Sequence, residues 1–313
     1  MRYAVGIDLG GTAVKIGLFS EDGSLLDKTE IVTRTSLGMD TVLDDTASCV
    51  RNLTEKHQIT LSDCVFGLGF PGLLEADGRI EASVDVNVYD YYPAIELSRR
   101  LECVPVTVEN DANTAALGEM WQGGGKGYNS LILITLGTGI GSGIVIDKKI
   151  LRGAHGLAGE IGHIQVNPDE PELCNCGGRG CLDQIASATG IVRYACRYLA
   201  ESDEGSVLRG KDPLTAKDVV DAARSGDRIA RESLTCCMDY LGRMIAAVCY
   251  VIDPDAVIIG GGVSKAGPYI LDLIFEQYKK YPAIKKICPD FALAKLGGDA
   301  GMYGAAYLAF NKS

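Results

Sequence analysis

One stretch near the start of the sequence is the strongest indication of the fold: Tyr3-Ala-Val-Gly-Ile-Asp-Leu-Gly-Gly-Thr-Ala-Val-Lys-Ile-Gly-Leu18. An apolar run leads into Gly10-Gly11, and apolar residues then return at every second position from Val14. This pattern predicts a β-hairpin. Glycines in its turn expose backbone N–H groups, and Thr12 adds a hydroxyl donor, so the turn can bind phosphate.

Asp8 directly precedes this turn. A carboxylate in that place repels phosphate unless a divalent cation lies between them, so we expect Asp8 next to Mg²⁺ or its waters. Lys15, on the returning strand, either neutralises phosphate or is merely exposed. Taken alone, the same residues also fit a plain hairpin turn, for which Gly10-Gly11 suffices.

A second glycine turn of the same kind follows an apolar strand at residues 131–136. A glycine run at residues 260–262 follows another apolar strand. Two phosphate hairpins and a glycine turn for a nucleoside predict a nucleotide in a cleft between lobes. The P-loop motif is absent from the sequence, and Ser142 occupies the position where a Rossmann motif needs its third glycine. The candidate nucleotide contacts here are Gly137, Thr138, Gly139, Gly261 and Gly262.

The chain has 313 residues, more than one hydrophobic core usually serves, so two lobes are expected. Strands come first, and helices and strands then alternate, which indicates an α/β fold. We expect an N-terminal α/β lobe of residues 1–115 with 299–313 and a C-terminal α/β lobe of residues 116–298. Helices are predicted at residues 183–200 and 227–251 of the second lobe.

The net charge of −11 argues against a surface that neutralises nucleic acid or anionic lipid. No run of eighteen apolar residues occurs, and the N-terminus lacks a charged and then apolar leader. We therefore expect no nucleic-acid partner, no membrane segment and a cytoplasmic protein.

Acidic and amide side chains are concentrated in Glu109-Asn110-Asp111, between a strand at residues 104–108 and a predicted helix. One interpretation is that Asn110 or Asp111 only caps that helix. The other is that Asp111 faces the cleft and takes the proton from an attacking hydroxyl, as an Asp does in phosphoryl transfer.

His163, Cys174, Cys176 and Cys181 lie within nineteen residues. One imidazole and three thiols are a tetrahedral zinc set, and four protein ligands leave no open position, so the zinc is expected to be structural. Thiols packed by chance explain the spacing poorly, because glycines rather than apolar residues separate them. A disulfide is disfavoured because the other eight cysteines are scattered like buried thiols of a reducing compartment.

These motifs together resemble the ROK family (repressors, open reading frames and sugar kinases) over essentially the whole chain. The resemblance implies a two-lobed actin-like ATPase (ribonuclease H-like) fold with an interlobe cleft. It implies ATP- and Mg²⁺-dependent transfer of the γ-phosphate to the 6-hydroxyl of a hexose, with Asp111 as general base. Glucose is the expected hexose, with N-acetylmannosamine, allose and fructose as alternatives, and a homodimer or homotetramer is expected.

The resemblance also assigns residues. ATP contacts are expected from the first loop and Lys15 as well as from the glycines of the second lobe. His163 is expected to bind zinc through the ring nitrogen that does not meet the sugar. Sugar contacts are expected from Gly72, Asn87, Asn110, Asp111, Glu160, His163 and Asp183; phosphate contacts are expected from Asp8, Gly10, Gly11, Thr12 and Lys15.

Two positions depart from the glucokinases of that family. Asp183 stands where they usually carry Glu, and its carboxylate is one methylene shorter. The segment around Asn87 also differs from their Asn-Leu-x-Trp-like stretch, so kinase activity is expected while the hexose stays open. Repressors of the family carry a DNA-binding domain ahead of the first phosphate loop. Seven residues precede Asp8, so a kinase is expected rather than a regulator.

Overall fold

The computed structural model describes residues 2–83, 86–282, 284 and 288–311. The strands are β1 (Tyr3–Leu9), β2 (Ala13–Ser20), β3 (Leu25–Val32), β4 (Cys64–Phe70), β5 (Ile80–Ser83), β6 (Val88–Tyr91), β7 (Val106–Asn110), β8 (Leu131–Leu136), β9 (Ile140–Ile146), β10 (Lys149–Ile150), β11 (Ala256–Gly260) and β12 (Asp290–Leu293). The helices are α1 (Met39–Lys56), α2 (Pro93–Arg100), α3 (Asp111–Gln122), α4 (Leu182–Ala186), α5 (Ala188–Ala200), α6 (Ala216–Arg224), α7 (Arg228–Ile252), α8 (Gly261–Ser264), α9 (Pro268–Tyr278) and α10 (Ala300–Phe310).

The chain divides into two compact units. Unit 1 comprises Met1–Ser130, Gly143–Gly159 and Lys295–Ser313, and unit 2 comprises Leu131–Ser142 and Glu160–Ala294. Helix α3 belongs to unit 1 because it packs along α10. The sequence-based lobes, by contrast, were divided at residue 115, before most of α3.

Unit 1 is built on a five-stranded sheet of order β3-β2-β1-β4-β7. β1 and β2 pair antiparallel with Ile7 opposite Ile16, which confirms the predicted hairpin. β1, β4 and β7 are parallel. Their carboxyl ends therefore meet at one edge of the sheet, the edge at which open α/β sheets bind ligands.

Helix α10 lies against β1 and β4 of this sheet. Two glycines on those strands make the close approach possible. A methyl group on Gly6 would collide with the backbone of Met302 and Ala306, and one on Gly67 would collide with the backbone of Ala305. The C-terminal helix is therefore part of the core of unit 1.

The second five-stranded sheet has the order β10-β9-β8-β11-β12. β8 and β11 are parallel, with Thr135 opposite Gly260. β12 continues the parallel set beside β11. The two glycine motifs of the second lobe therefore follow neighbouring parallel strands and lie at the same edge.

The predicted helix at residues 183–200 is in fact two helices, α4 and α5. Ser187 separates them because its backbone is extended and its side chain accepts a hydrogen bond from Gly190 N, as an N-cap does. The helix predicted at residues 227–251 is α7 and was correctly placed.

Helix α7 is the one helix within the described residues that has the length and hydropathy to cross a membrane, with a mean hydropathy of 1.4. It packs against α5, α6 and α9. Leu234, Leu241 and Ile245 are among its buried residues. Packing in the core of unit 2 therefore accounts for its apolar sequence.

Candidate active site

Asp8 lies near the carboxyl end of β1, in the middle of a charged cluster. Its pKa is raised to about 7, first by burial and then by the Asp111 and Asp299 carboxylates, whereas Lys15 lowers it. Asp299 is already paired with Lys28, whose Nζ lies 2.5 Å from Asp299 Oδ2. The carboxylates of Asp8 and Asp111 are left with the ammonium group of Lys15, and a bound divalent cation would balance the excess of negative charge. The residues present at Asp8 therefore fit Mg²⁺.

The turn after Asp8 is held in place by hydrogen bonds. Gly10 N donates to Ala13 O at 3.0 Å across the turn. Thr33 makes two hydrogen bonds to the turn: Thr33 Oγ1 donates to Gly10 O at 2.6 Å, and Thr33 N donates to Thr12 O at 2.9 Å. Gly11 lies at its centre, and Thr12 is exposed and accessible to a ligand.

The ammonium group of Lys15 makes a hydrogen bond within the protein. Its Nζ donates to Gly298 O at 2.6 Å, in the glycine-rich segment that precedes α10. Asp299 follows, and a methyl group on Gly301 would collide with the Asp8 carboxylate. Sequence analysis missed this segment, although Gly297-Gly-Asp-Ala-Gly301 at a helix start was a detectable signal.

Asn110 and Asp111 stand at the junction of β7 and α3. Asn110 is the N-cap, because its Oδ1 accepts hydrogen bonds from Ala112 N at 2.9 Å and Asn113 N at 3.1 Å. Its Nδ2 donates to Gly72 O at 3.1 Å, which brings two predicted sugar contacts together. Of the two residues, Asn110 therefore caps the helix. Asp111 lies in the first turn of α3, and its charge acts on Asp8.

Glu109 is a buried carboxylate directly beside this junction, with 1% of its surface exposed. Its Oε1 accepts from Asn110 N at 2.9 Å and from Asn113 Nδ2 at 3.0 Å. Its Oε2 accepts from Arg152 Nε in an ion pair. The sequence drew attention to the motif but did not identify Arg152 as its partner.

Asn87 is exposed and has a left-handed backbone, with φ of 51°. Within the described part of unit 1, no hydrogen bond joins Asn87 to Gly72 or Asn110. Its contact with sugar therefore stays a prediction.

Glu160 and His163 begin and end one short turn in unit 2. His163 N donates to Glu160 O at 3.2 Å. The side chain of His163 is exposed, and its Nδ1 lies 3.8 Å from Cys174 Sγ. The other ring nitrogen, Nε2, is therefore not the one that meets the thiols.

The predicted metal residues form one cluster: a nitrogen of His163 and the sulfurs of Cys174, Cys176 and Cys181 all lie within 4.8 Å of one another. Cys176 Sγ and Cys181 Sγ are 3.6 Å apart, far beyond the bonded distance of about 2.05 Å, so they form no disulfide. The Gly178 backbone N–H lowers the pKa of Cys176, which favours the thiolate, whereas burial raises the pKa of Cys174 and of Cys181. This donor set fits a tetrahedral zinc ion in number and kind.

The second glycine loop of unit 2 is fixed by the residues around α4 and α5. Ala188 N donates to Gly137 O at 2.8 Å, and Thr189 Oγ1 donates to Thr138 O. Asp183 Oδ1 accepts from Ile140 N at 2.6 Å. The structure therefore places one carboxylate oxygen of Asp183 on this loop.

The third glycine motif lies beside that loop. Gly261 has φ of +82°, a left-handed backbone that favours glycine. A methyl group there would lie 2.5 Å from Leu136 N, and Gly262 continues into α8. The motifs that sequence analysis assigned to phosphate and nucleoside in unit 2 are thus neighbours in the structure.

Comparison with known proteins gives consistent results. Residues 4–312 match the ROK family. A glucokinase from Halalkalibacterium halodurans is 41% identical over 314 residues, covering 98% of this chain and 94% of that protein.

Solved structures agree with the sequence comparison. A ROK family glucokinase from Streptomyces griseus, crystallised with glucose and AMPPNP, is similar at a TM-score of 0.78 and 34% identity, covering 98% of this chain and 99% of that one. A ROK hexokinase from Thermus thermophilus is similar at a TM-score of 0.83 and 30% identity, covering 99% and 98% of the two chains.

Proposed function

The chain belongs to the ROK family, and on that basis we propose that it is an ATP-dependent hexose kinase that phosphorylates glucose. Its fold is the two-domain α/β fold of actin-like ATPases, as the sequence predicted. The 41% identity to a glucokinase over nearly the full length supports glucose as the substrate.

The observation that carries this proposal is the pair of carboxylates, Asp8 and Asp111, in unit 1. Asp8 lies near the carboxyl end of β1 and Asp111 directly follows β7, two strands of one parallel set, and the charge of Asp111 contributes to the raised pKa of Asp8. In our proposal Asp111 accepts the proton of the sugar 6-hydroxyl as that oxygen attacks the γ-phosphorus of ATP. The bond between the γ-phosphorus and the β–γ bridging oxygen breaks, and ADP leaves. Mg²⁺, when bound next to Asp8, neutralises charge on the phosphates of ATP.

Backbone and hydroxyl donors supply the remaining phosphate contacts. We assign this role to Gly10, Gly11 and Thr12 in unit 1, whose turn is fixed by Thr33. In unit 2 we assign it to residues 137–139. Gly261 and Gly262 are assigned to the nucleoside. Lys15, which bonds to Gly298 O, then acts mainly on the charge around Asp8.

We assign sugar contacts within each unit separately. Asn110 and Gly72 are joined by a hydrogen bond, and Glu160 and His163 share a turn. Asp111 completes the set with Asn87 and Asp183 as further candidates. The shorter Asp183 leaves N-acetylmannosamine, allose and fructose as alternative hexoses.

A structural zinc ion is the remaining part of the proposal. His163 and the three cysteines of the cluster would hold it, and it would fix the turn that carries Glu160 and His163. We also propose a cytoplasmic enzyme that forms a homodimer or homotetramer.

The test is a screen of ATP consumption by the purified protein with glucose, mannose, N-acetylmannosamine, allose and fructose. We expect turnover with glucose, and we expect Asp111→Asn to lower kcat by about a hundredfold or more, since general-base assistance contributes about 10² to 10⁴. The variant should melt at the same temperature, because Asn110 supplies the helix cap. Asp90→Asn, an exposed change outside the assigned site, is the control. Near-normal turnover in Asp111→Asn would mean that another group is the base.

A further inference from the structure

We propose that Asp183 is a positioning residue for the second glycine loop, residues 137–139, and that it sets the affinity for ATP through that loop. This goes beyond its assignment as a sugar contact and rests on the proposed function. It concerns contacts within unit 2 alone.

The first observation is the hydrogen bond from Ile140 N to Asp183 Oδ1, at 2.6 Å. A hydrogen bond to a carboxylate is shorter and stronger than one between neutral groups. The carboxylate also lies tight against the loop, since a methyl group on Gly139 would lie 2.7 Å from Oδ1. Gly139 therefore leaves space that the Asp183 side chain occupies.

The second observation is that the same part of the chain holds the loop at two further points. Ala188 N bonds to Gly137 O, and Thr189 Oγ1 bonds to Thr138 O. Residues 183–189 thus bond to Gly137, Thr138 and Ile140, and Asp183 is the only charged residue in that segment.

These contacts determine which amides of the loop can meet a ligand. Gly137 N donates to Gly139 O at 2.9 Å, and Ile140 N donates to Asp183 Oδ1. Among the described residues, the N–H groups of Thr138 and Gly139 have no acceptor. Two adjacent amides that have no acceptor in the protein can bind an anion, so fixing the backbone on both sides of them preorganises phosphate binding.

The shorter side chain gives this role a chemical reason. Asp183 is in the first turn of α4, two residues after the metal-cluster residue Cys181. Gln184 Oε1 accepts from Gly180 N at 2.8 Å and from Cys181 N at 3.2 Å, which fixes the start of that helix. With the backbone fixed, the reach of the carboxylate decides what it contacts, and at the length of Asp one oxygen meets the loop.

The test compares Asp183→Ala and Asp183→Asn with Asp203→Ala, an exposed change in the same unit. Binding of AMPPNP with Mg²⁺ is measured by calorimetry in the absence of sugar. We expect Asp183→Ala to weaken AMPPNP binding about tenfold or more, since losing a hydrogen bond to a charged group has an effect of that size. Asp183→Asn keeps an acceptor oxygen and should lie in between, and Asp203→Ala should bind as the wild type does.

A second readout separates positioning from general damage. Hydrogen exchange of the Ile140 amide should be slow in the wild type and in Asp203→Ala, and fast in Asp183→Ala. If Asp183→Ala does not fold, Asp183→Asn decides by the same two measurements. The inference is overturned if the folded variants bind AMPPNP within twofold of the wild type. A wild type that binds AMPPNP but phosphorylates none of the hexoses would instead refute the proposed function and leave the inference standing.

Discussion

At the scale of single residues, the ion pair between Glu109 and Arg152 holds the backbone next to Asp111, the proposed base. Glu109 is buried and Arg152 is about half exposed, at 1% and 46% of their side chains. One oxygen of Glu109 holds the backbone of Asn110, the residue before Asp111. The Arg152 carbonyl also accepts from Ala158 N at 3.2 Å, within the loop that follows β10.

We predict that Arg152→Ala destabilises the protein by about 2 kcal/mol. Removing one partner of a fully buried pair costs about 3–5 kcal/mol, and the exposure of Arg152 reduces this. Because the change also loosens Asn110, kcat should fall about tenfold while KM for ATP stays the same. Urea unfolding and steady-state kinetics measure both effects.

The double variant Glu109→Gln/Arg152→Ala is the matched control for this prediction. It removes the carboxylate together with its partner, so it should be more stable than Arg152→Ala alone. If the loss of stability in the double variant, relative to the wild type, equals the sum of the losses in the two single variants, the two residues are not coupled.

The residues of the candidate site show which of their contacts can be predicted from the sequence and which cannot. Asp8, Asp111 and the cysteine cluster are marked by their neighbours in the chain, so a local pattern is enough to predict them as site residues, and their roles stay predictions. Arg152 and Asp299 act on residues that are 43 and 291 positions away by number (152 − 109 and 299 − 8). Such pairings arise only from the fold, and no local pattern carries them.

At the scale of elements, the cysteine loop between Glu170 and α4 brings together the thiols of the cluster that includes His163. Cys174 N donates to Gly178 O at 2.8 Å, and Gly177 N donates to Cys174 O at 2.8 Å. A tight turn of this kind holds two thiols close but buries little apolar surface. We therefore expect metal binding by the thiols to stabilise this turn.

We predict one zinc ion per chain in protein prepared without chelator, measured by elemental analysis. Cys176→Ser should lose the metal, lower the melting temperature and weaken glucose binding, because His163 and Glu160 are no longer held. Cys196→Ser, an exposed thiol outside the cluster, should keep both the metal and the affinity for glucose. Wild-type protein that contains no zinc would contradict the prediction.

The break between α4 and α5 marks the limit of prediction for elements. Apolar residues continue at helical spacing through residues 183–200, so the sequence predicted one helix. Ser187 is fully buried and serves as an N-cap, and Ala188 N is drawn to Gly137 O of the glycine loop. A distant loop thus decides where one helix ends and the next begins.

At the scale of the whole molecule, α10 joins the end of the chain to its beginning. It crosses α3 at a contact between two glycines. A methyl group on Gly304 would lie 2.5 Å from the Thr114 carbonyl carbon and 2.8 Å from Gly118 N. The backbones of the two helices are therefore in direct contact.

We predict that Gly304→Ala destabilises the protein by about 1–3 kcal/mol, the usual cost of adding a methylene to a well-packed core. Thermal or urea unfolding measures the effect. Gly205→Ala is the matched control, because nothing lies within 4 Å of a methyl group at Gly205, and it should leave stability almost unchanged. Equal stability of the two variants would show that the contact between α3 and α10 can relax.

The place of α10 also has a consequence for how the protein is made. A ribosome completes Glu160–Ala294, the main part of unit 2, before it releases the helix that covers the sheet of unit 1. Domains generally fold as units while the chain is being synthesised, and exposed apolar surface is prone to aggregation in the meantime. The sheet of unit 1, whose strands are made before unit 2, is therefore covered only after unit 2 is complete. Until residues 300–310 emerge, the nascent chain exposes the face of the unit 1 sheet that α10 later covers, and we expect chaperones to bind that apolar face.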